Sequence, residues 1–355
     1  MLTLSEDQGL LRDSLDDFFD PEAAITSLRQ GESGGAHWQA AAELGLAGLF
    51  APEEIGGNGF GVGGAAVVAE ALGRSLARLP FLGSGVLGPI LLRSSSVGAA
   101  SGWLADIACG RARFALAIDE NDRHEPQHIT ARYANGKLTA DKSFVLDGAA
   151  ADLIGVVARD DSAQLVVAVI ERQAIPEAIQ PYGLIDGTSA ACVRLSCVAA
   201  RQVAAAGELS VALDIGRAVL AAELLGLAAA LESRTLEYLR TRIQFGRAIG
   251  SFQALQHRLA HLHTEIEMTR SAVRGAVEAL DEQLPQAHEL ALIAKAKAAR
   301  IANFAASEAL QLHGGIGMTA ELDIGYFMKR AAVAASTLGD EAWCADQLAR
   351  LWNLS

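Results

Sequence analysis

The spacing of apolar residues changes twice along the 355-residue chain. Over 1–113 the spacing is helical, with a break at 52–61 whose Gly-rich composition predicts a loop. Over about 114–204 short β-branched runs are separated by Gly, Asp and Asn, and the stretch ANGK at 134–137 predicts a hairpin. From about residue 209 helical spacing returns and continues to the end of the sequence. The pattern therefore predicts helices, then strands, then helices.

The last region has the pattern of a helix bundle. Ser251 is of the type that caps a helix start, and the pair Gly314 and Gly315 is of the type that ends one. The predicted helices cover 210–242, 251–283, 287–315 and the shorter 341–351.

Together these regions predict an α+β fold that is mostly helical. An N-terminal helical domain covers 1–113, and a middle domain, a small β-barrel or sandwich, covers 114–204. A C-terminal four-helix bundle covers 205–355.

The composition and charge of the chain argue against several classes of function. Hydrophobic residues make up 51% of the chain and mean hydropathy is +0.24, but no run of 18 apolar residues predicts a membrane span. A net charge of −13 argues against affinity for nucleic acid or anionic membranes. The four cysteines have no CxxC or zinc spacing, and Met1 opens no signal peptide, so we expect a cytoplasmic protein.

The stretch RTRIQFGRAIGSFQALQHRLA at 240–260 combines a helix end, a glycine turn and a new helix start. Exposed N–H groups at a helix start favour an anion, and Arg242 and Arg247 have the geometry to bind phosphate. The same pattern is also typical of an ordinary helix-turn-helix with solvated arginines. The residues alone leave both interpretations open.

Three stretches resemble signatures of the acyl-CoA dehydrogenase family: RxQFGxxIGxFQ at 242–253, QLHGGIGMT at 311–319 and GLAGLFAPEEIGGNGFG at 45–61. They occur in the family's order and spacing, and with the helix, strand, helix pattern they cover nearly the whole chain. The resemblance implies a flavoprotein that desaturates an acyl-CoA thioester between Cα and Cβ. It also implies FAD as cofactor, an electron-transfer flavoprotein as electron acceptor, and a homologous subunit in a dimer or tetramer.

The resemblance also implies the contact residues. FAD, bound across a subunit interface, is contacted in the first segment by Arg242, Gln244, Phe245 and Gln253, and in the second by Gln311, Gly314 and Gly315. Gly314 suits a helix C-cap as well. In the stretch ALDIGR, Asp214 and Arg217 resemble acyl-CoA contacts, although a carboxylate that caps a nearby helix start explains Asp214 equally.

The catalytic base of the family is missing. Desaturation needs a carboxylate within reach of the α proton. The usual glutamate position is Leu338 here, and the minority position on the long helix is Gly216. A displaced Asp340 or Glu341 is one explanation and Glu223 a weaker one. The third is that the glutamate lies on another subunit.

The middle domain also departs from the family. The stretch AIDENDRHEPQ at 117–127 replaces a Thr-Glu-Pro-Gly-Ala-Gly-Ser run, and Phe144 and Leu146 replace an aromatic and a hydroxyl residue. We therefore favour a subunit of a heteromer, similar to those that handle steroid side-chain CoA thioesters. The rivals are a self-sufficient homo-oligomeric dehydrogenase and a non-enzymatic acyl-CoA-binding scaffold.

Two weaker signals remain. Gly216, Ala221 and Ala222 are small enough to make room for a bulky acyl group, or they pack helices closely. The spacing of His257, His261 and Glu265 suits a metal, but no further ligand is evident from another segment, and we predict no metal site.

Overall fold

The computed structural model describes residues 5–31, 38–121, 123–319 and 321–354. The chain forms two compact units that are interleaved in sequence. The unit that we call the bundle unit takes its residues from 1–32, 66–77 and 217–355, and the sheet unit takes the remainder. The predicted three-domain division at 113/114 and 204/205 stays a prediction.

The N-terminal region is helical, as predicted. Helix α1 (Glu6–Phe18) begins with a capping box between Ser5 and Gln8, and α2 (Pro21–Gln30) is capped by the Asp20 carboxylate. The later helices of this region are α3 (Trp38–Glu43), α4 (Gly61–Ser75), α5 (Gly88–Arg93) and α6 (Ala100–Ala108). The predicted loop at 52–61 contains one 3₁₀ turn, Glu53–Ile55, and ends where α4 begins.

The middle region forms one open sheet. Its strands are β1 (Phe114–Ala117), β2 (Arg132–Ala134), β3 (Lys137–Leu146), β4 (Leu153–Arg159), β5 (Leu165–Glu171), β6 (Ile179–Gly183), β7 (Ser189–Ala199) and β8 (Arg201–Ala205). The order is β6-β7-β3-β2-β4-β5-β8, with β1 parallel beside β4. The predicted closed barrel is therefore wrong, because the edge strands β6 and β8 of the described sheet do not pair with each other.

The predicted hairpin at 134–137 is confirmed. Strands β2 and β3 pair antiparallel around Asn135 and Gly136, both at positive φ (51° and 74°). A two-residue hairpin turn of this kind needs positive φ at both central positions, which Asn and Gly tolerate best.

The C-terminal region contains the helices α7 (Ala206–Thr241), α8 (Gln253–Asp281), α9 (Ala287–His313), α10 (Ile324–Ser336) and α11 (Glu341–Leu351). The predicted four-helix bundle lacked α10, so that count was wrong. Between α7 and α8 lies a short hairpin of β9 (Ile243–Gln244) and β10 (Arg247–Ala248). Ser251 does not cap α8: the cap residue is Phe252, and the Ser251 hydroxyl donates to the Ala248 carbonyl at 2.7 Å.

Helices α4 and α7 touch backbone to backbone within the bundle unit. A Cβ atom on Gly226 would lie 2.2 Å from the Glu70 carbonyl oxygen, and one on Gly73 would lie 2.1 Å from that of Glu223. No side chain fits at either position without moving a helix.

We expect Gly226→Ala to lower the free energy of unfolding by about 3 kcal/mol, because the added methyl group forces the two helices apart. Denaturant unfolding measures the loss. The matched control is Gly275→Ala in α8, where an added Cβ meets nothing within 4 Å. There alanine should be neutral or stabilising by up to about 1 kcal/mol, and equal losses at both sites would contradict the close crossing.

Candidate functional site

The first predicted flavin segment is an exposed hairpin at the end of α7. The helix ends at Thr241, and the Arg242 amide donates to the Tyr238 carbonyl at 2.9 Å. Gln244 pairs with Arg247 across a two-residue turn formed by Phe245 and Gly246.

Phe245 is strained and exposed at the tip of this hairpin. Its φ is +51°, a region that aromatic residues rarely adopt, and it is 88% exposed. Its ring meets the edge of Phe252 at 6.0 Å, and the Arg247 guanidinium lies 4.1 Å from the Phe252 ring centre. Exposure and strain in one apolar residue are typical of a binding surface.

A cavity of about 550 Å³ lies in the bundle unit beside this hairpin. Its lining is largely apolar, with four leucines, and includes polar groups from both helices and the turn. The lining residues are Glu232, Leu236, Leu239, Arg240, Ala248, Gly250, Ser251, Leu255, Gln256, Leu259, Ala260 and His263. An apolar cavity with a few polar groups suits a flat, partly polar ligand group.

The second predicted flavin segment begins where α9 ends. Gly314 follows His313 with φ +67° and caps the helix through its N–H, and the chain continues as a 3₁₀ turn. A Cβ on Gly314 or Gly315 would meet nothing within 4 Å, and Gln311 is exposed beside them. This backbone is therefore open to close approach by a ligand.

The two segments emerge from neighbouring helix ends. Tyr238, in the last turn of α7, stacks on His313, the last residue of α9, with ring centres 4.4 Å apart and planes 28° apart. Within the bundle unit the structure thus brings the hairpin and the glycine turn to the same side.

The chain makes a turn at the position that the resemblance assigns to the base, and the side chain there is apolar. Leu338 is buried with φ +56°, Gly339 follows at +101°, and the Leu338 carbonyl accepts from Arg217 Nε at 3.1 Å. The Arg217 guanidinium also lies 4.7 Å from the centre of a Trp343 ring. No titratable side chain occupies position 338.

Two of the three displaced candidates, Asp340 and Glu223, have structural roles. Asp340 caps α11 by accepting from the Trp343 amide at 2.7 Å, and Glu341 is exposed in the first turn of α11. Glu223 is buried and paired with Arg330 at 2.6 Å. A catalytic role for any of the three stays a prediction.

The long helix holds the predicted acyl-CoA contacts. Asp214 and Arg217 are both buried, as are Ala221 and Ala222. Because α7 begins at Ala206, Asp214 lies eight residues inside the helix and does not cap it. That alternative is therefore wrong, and Glu208 is the acidic residue of the first turn.

A buried lysine that the sequence analysis did not single out supports the turn around Leu338. Lys295 is fully buried, and its ammonium group donates to the carbonyls of Ala335 at 2.7 Å and Gly339 at 2.9 Å. The pKa of Lys295 is lowered to about 8, chiefly by burial and to a smaller extent by nearby Arg217, while Cys344, Asp340 and Glu223 act in the opposite direction.

In the sheet unit, the segment 117–127 that departs from the family is held by hydrogen bonds to neighbouring residues. The ammonium group of fully buried Lys142 donates to Ile118 O at 2.8 Å and to Glu120 Oε1 at 2.7 Å. Glu120 also accepts from the amides of Thr130 and Ala131. Burial would raise the pKa of Glu120, but these hydrogen bonds outweigh it and lower the pKa to about 2.

Two more features complete this region. His124 Nδ1 lies 2.8 Å from the Asp119 carboxylate, so Asp119 also points to a partner within the segment. Phe144 has φ +49° at an irregularity in β3 opposite β7 and is half-buried. An irregularity of this kind re-aims a side chain away from strict alternation.

Two of the side chains at metal-like spacing on α8 have other neighbours. His261 meets the edge of Phe304 at 5.5 Å, and Glu265 pairs with Lys297 at 3.0 Å. Across the residues that the structure describes, no three His, Cys, Asp or Glu side chains are grouped to hold a metal.

Family models match both ends of the chain: the acyl-CoA dehydrogenase N-terminal domain at 5–111 and the C-terminal domain at 209–351. The chain belongs to the acyl-CoA dehydrogenase family. It is 31% identical to the acyl-CoA dehydrogenase IpdE2 of Mycolicibacterium smegmatis over 98% of each chain.

Solved structures agree with this assignment. The ChsE4-ChsE5 complex from Mycobacterium tuberculosis has TM-score 0.89 at 27% identity and 99% coverage of both chains. The Tcur3481-Tcur3483 steroid ACAD G363A variant has TM-score 0.87 at 27% identity, covering 98% of this chain and 96% of that one.

The predicted fold class and enzyme class are thereby confirmed. The protein is an acyl-CoA oxidoreductase. No helix among the residues with described structure is long and apolar enough to cross a membrane.

Proposed function

We propose that the chain is the subunit without the catalytic base in a heteromeric acyl-CoA dehydrogenase. The observation that carries this proposal is the turn at 338–340. Its backbone is held by Arg217 and Lys295, yet its side chain at the position of the base is a buried leucine. Because leucine takes up no proton, the α proton must go to a carboxylate from the partner subunit.

The exposed groups of the bundle unit fit one half of an FAD site. Arg242 and Arg247 offer guanidinium groups for the pyrophosphate, and the uncrowded backbone at Gly314 and Gly315 leaves room for a ligand to approach closely. Gln244, Phe245, Gln253 and Gln311 would complete the contacts. When bound, FAD supplies a hydride acceptor at the flavin ring.

The contacts within the sheet unit support a heteromer whose two subunits contribute unequally to the flavin site. Glu120 is engaged by Lys142 and Thr130, and Asp119 is engaged by His124, so their carboxylates are not available to a flavin. This chain therefore lends its hairpin and glycine turn to a flavin held largely by its homologous partner. Its own middle region does not complete a second site.

We infer a bulky acyl-CoA, of the steroid side-chain class, as substrate. Support comes from the relative described as a steroid ACAD and from the small buried residues Ala221 and Ala222 on α7. Asp214 and Arg217 would contact the thioester's CoA portion. An electron-transfer flavoprotein would reoxidise the flavin, and the four free cysteines support a cytoplasmic location.

The test is to purify the chain alone and with a co-expressed homologous subunit that carries a glutamate at either position of the base. We expect the chain alone to be nearly colourless and inactive, and the complex to hold FAD and oxidise steroid side-chain acyl-CoA. Visible spectra, FAD stoichiometry and turnover of an acyl-CoA panel measure this.

Two outcomes favour the rivals. Full FAD occupancy and turnover by the chain alone would refute the dependent-subunit proposal and point to Asp340 or Glu341, which Asp340→Asn and Glu341→Gln would separate. A complex that stays colourless with added FAD, but binds acyl-CoA, would support a non-enzymatic scaffold.

A further inference from the structure

His313 is a nearly buried imidazole whose Nδ1 faces a backbone carbonyl oxygen. It is 6% exposed, and its Nδ1 lies 2.8 Å from the Ala309 carbonyl oxygen, one turn back along α9. Because a carbonyl oxygen only accepts hydrogen bonds, Nδ1 must carry the proton. In the neutral ring, Nε2 is then a hydrogen-bond acceptor.

The orientation of the ring is fixed as well. Tyr238 stacks on it at 4.4 Å, and the Tyr238 carbonyl accepts from the amide of Arg242. The next residue after His313 is Gly314, whose φ of +67° begins the open glycine turn. The imidazole thus lies between the start of the hairpin and the start of the glycine turn.

Nε2 of His313 has no hydrogen-bond partner among the residues that the structure describes. The Nε2 atom is also not completely shielded from solvent. An acceptor in this position needs a donor. Phosphate oxygens are acceptors at neutral pH and cannot supply one, whereas a sugar-type hydroxyl can. FAD has such hydroxyls on its ribityl chain and on the ribose of its adenosine.

We propose that His313 Nε2 accepts a hydrogen bond from a ribityl or ribose hydroxyl of FAD, and that Tyr238 is the positioning residue for this contact. The inference rests on the proposed function, since it requires that the two segments bind a flavin. It adds a cofactor contact that couples the hairpin to the glycine turn.

The experiment uses the co-expressed complex with His313→Phe, which keeps an aromatic ring against Tyr238 and removes both nitrogens. We expect the dissociation constant for FAD, from flavin fluorescence titration, to rise by about 10-fold. The melting temperature of the apo complex should stay within about 2 °C. His261→Phe, a matched change on α8, should leave FAD affinity unchanged.

Competition by FAD fragments separates the two hydroxyl sources. If the adenosine ribose is the donor, His313→Phe weakens competition by ADP and leaves that by FMN unchanged. If the ribityl chain is the donor, the reverse holds. Weaker FAD binding with unchanged competition by both fragments would overturn the direct contact.

Two further results keep the inference separate from the proposed function. If the wild-type complex binds no FAD, the proposed function fails. If it binds FAD and His313→Phe binds equally well, only the His313 contact fails. Should His313→Phe not fold, Tyr238→Leu tests the same coupling: a several-fold loss of FAD affinity supports it, and no loss overturns it.

Discussion

Replacing Arg242 by leucine is expected to lower the FAD affinity of the assembled complex by about 10- to 100-fold. Hydrogen bonds between an arginine and a phosphate contribute about 1.5–3 kcal/mol. The Arg242 side chain is exposed and makes no hydrogen bond or ion pair with any residue of the described structure. Its loss should therefore leave the free energy of unfolding unchanged. Fluorescence titration with FAD and a thermal melt of the apo complex measure both effects.

The matched control is Arg300→Leu, which removes an exposed guanidinium from α9, outside both predicted flavin segments. Arg242→Leu and Arg300→Leu each remove one positive charge. A general electrostatic effect on FAD binding would therefore lower the FAD affinity of both variants equally. Loss of affinity in both variants, or in neither, would contradict a specific contact between Arg242 and the pyrophosphate.

Lys295 should make the stability of the bundle unit rise at alkaline pH. Its pKa is about 8 when folded and near 10.5 when unfolded, chiefly because burial disfavours the charged form. Between these values the unfolded chain binds more protons, so the free energy of unfolding rises with pH. A difference of this size corresponds to about 3 kcal/mol, gained between pH 8 and pH 10.5.

The measurement is denaturant unfolding of wild type and Lys295→Met from pH 7 to pH 10.5. Subtracting the two curves removes the titration of other groups, and the remainder should rise by about 3 kcal/mol over that window. Lys297→Met is the control, because Lys297 lies two residues further on α9 in a partly exposed ion pair with Glu265. Parallel curves for wild type and Lys295→Met would contradict the burial of a charged ammonium group.

The long helices could be predicted because their apolar spacing runs for many turns. The predicted starts and ends of α7, α8 and α9 differ from the observed ones by four residues or fewer. Helix α10 was missed because the stretch from Gln311 to Trp343 was interpreted through its resemblance to flavin and base segments. The sheet was misjudged because alternation defines strands but not which strands pair.

The two buried lysines could have been predicted from the sequence, because each occupies a position on the apolar face of its helix or strand. In α9, Lys295 follows Ala291 and Leu292 and precedes Ala298 and Ala299 at helical spacing, so it lies on the buried face. In β3, Lys142 follows Leu138 and Ala140 at alternate positions. Phe144 was not predictable in this way, because the irregularity before Val145 breaks the alternation.

The flavin segments were recognisable from short motifs, but their geometry was not. The motif RxQFG gave no sign that Phe245 adopts positive φ at the tip of a hairpin, since Phe is not typical of that conformation. The contact between Tyr238 and His313 joins residues that are distant in sequence and is visible only once α7 and α9 pack.

The interleaving of the two units has a consequence for how the chain is made. The first two helices fold in the same compact unit as everything after residue 217. At about 5–20 residues per second, a ribosome needs roughly 10 to 40 s to synthesise the stretch between residues 32 and 217. During that time α1 and α2 have emerged without the part of their unit that follows residue 217, whereas Leu15 and Ile25 are buried in the folded chain. The nascent chain therefore exposes an apolar surface that a chaperone can recognise.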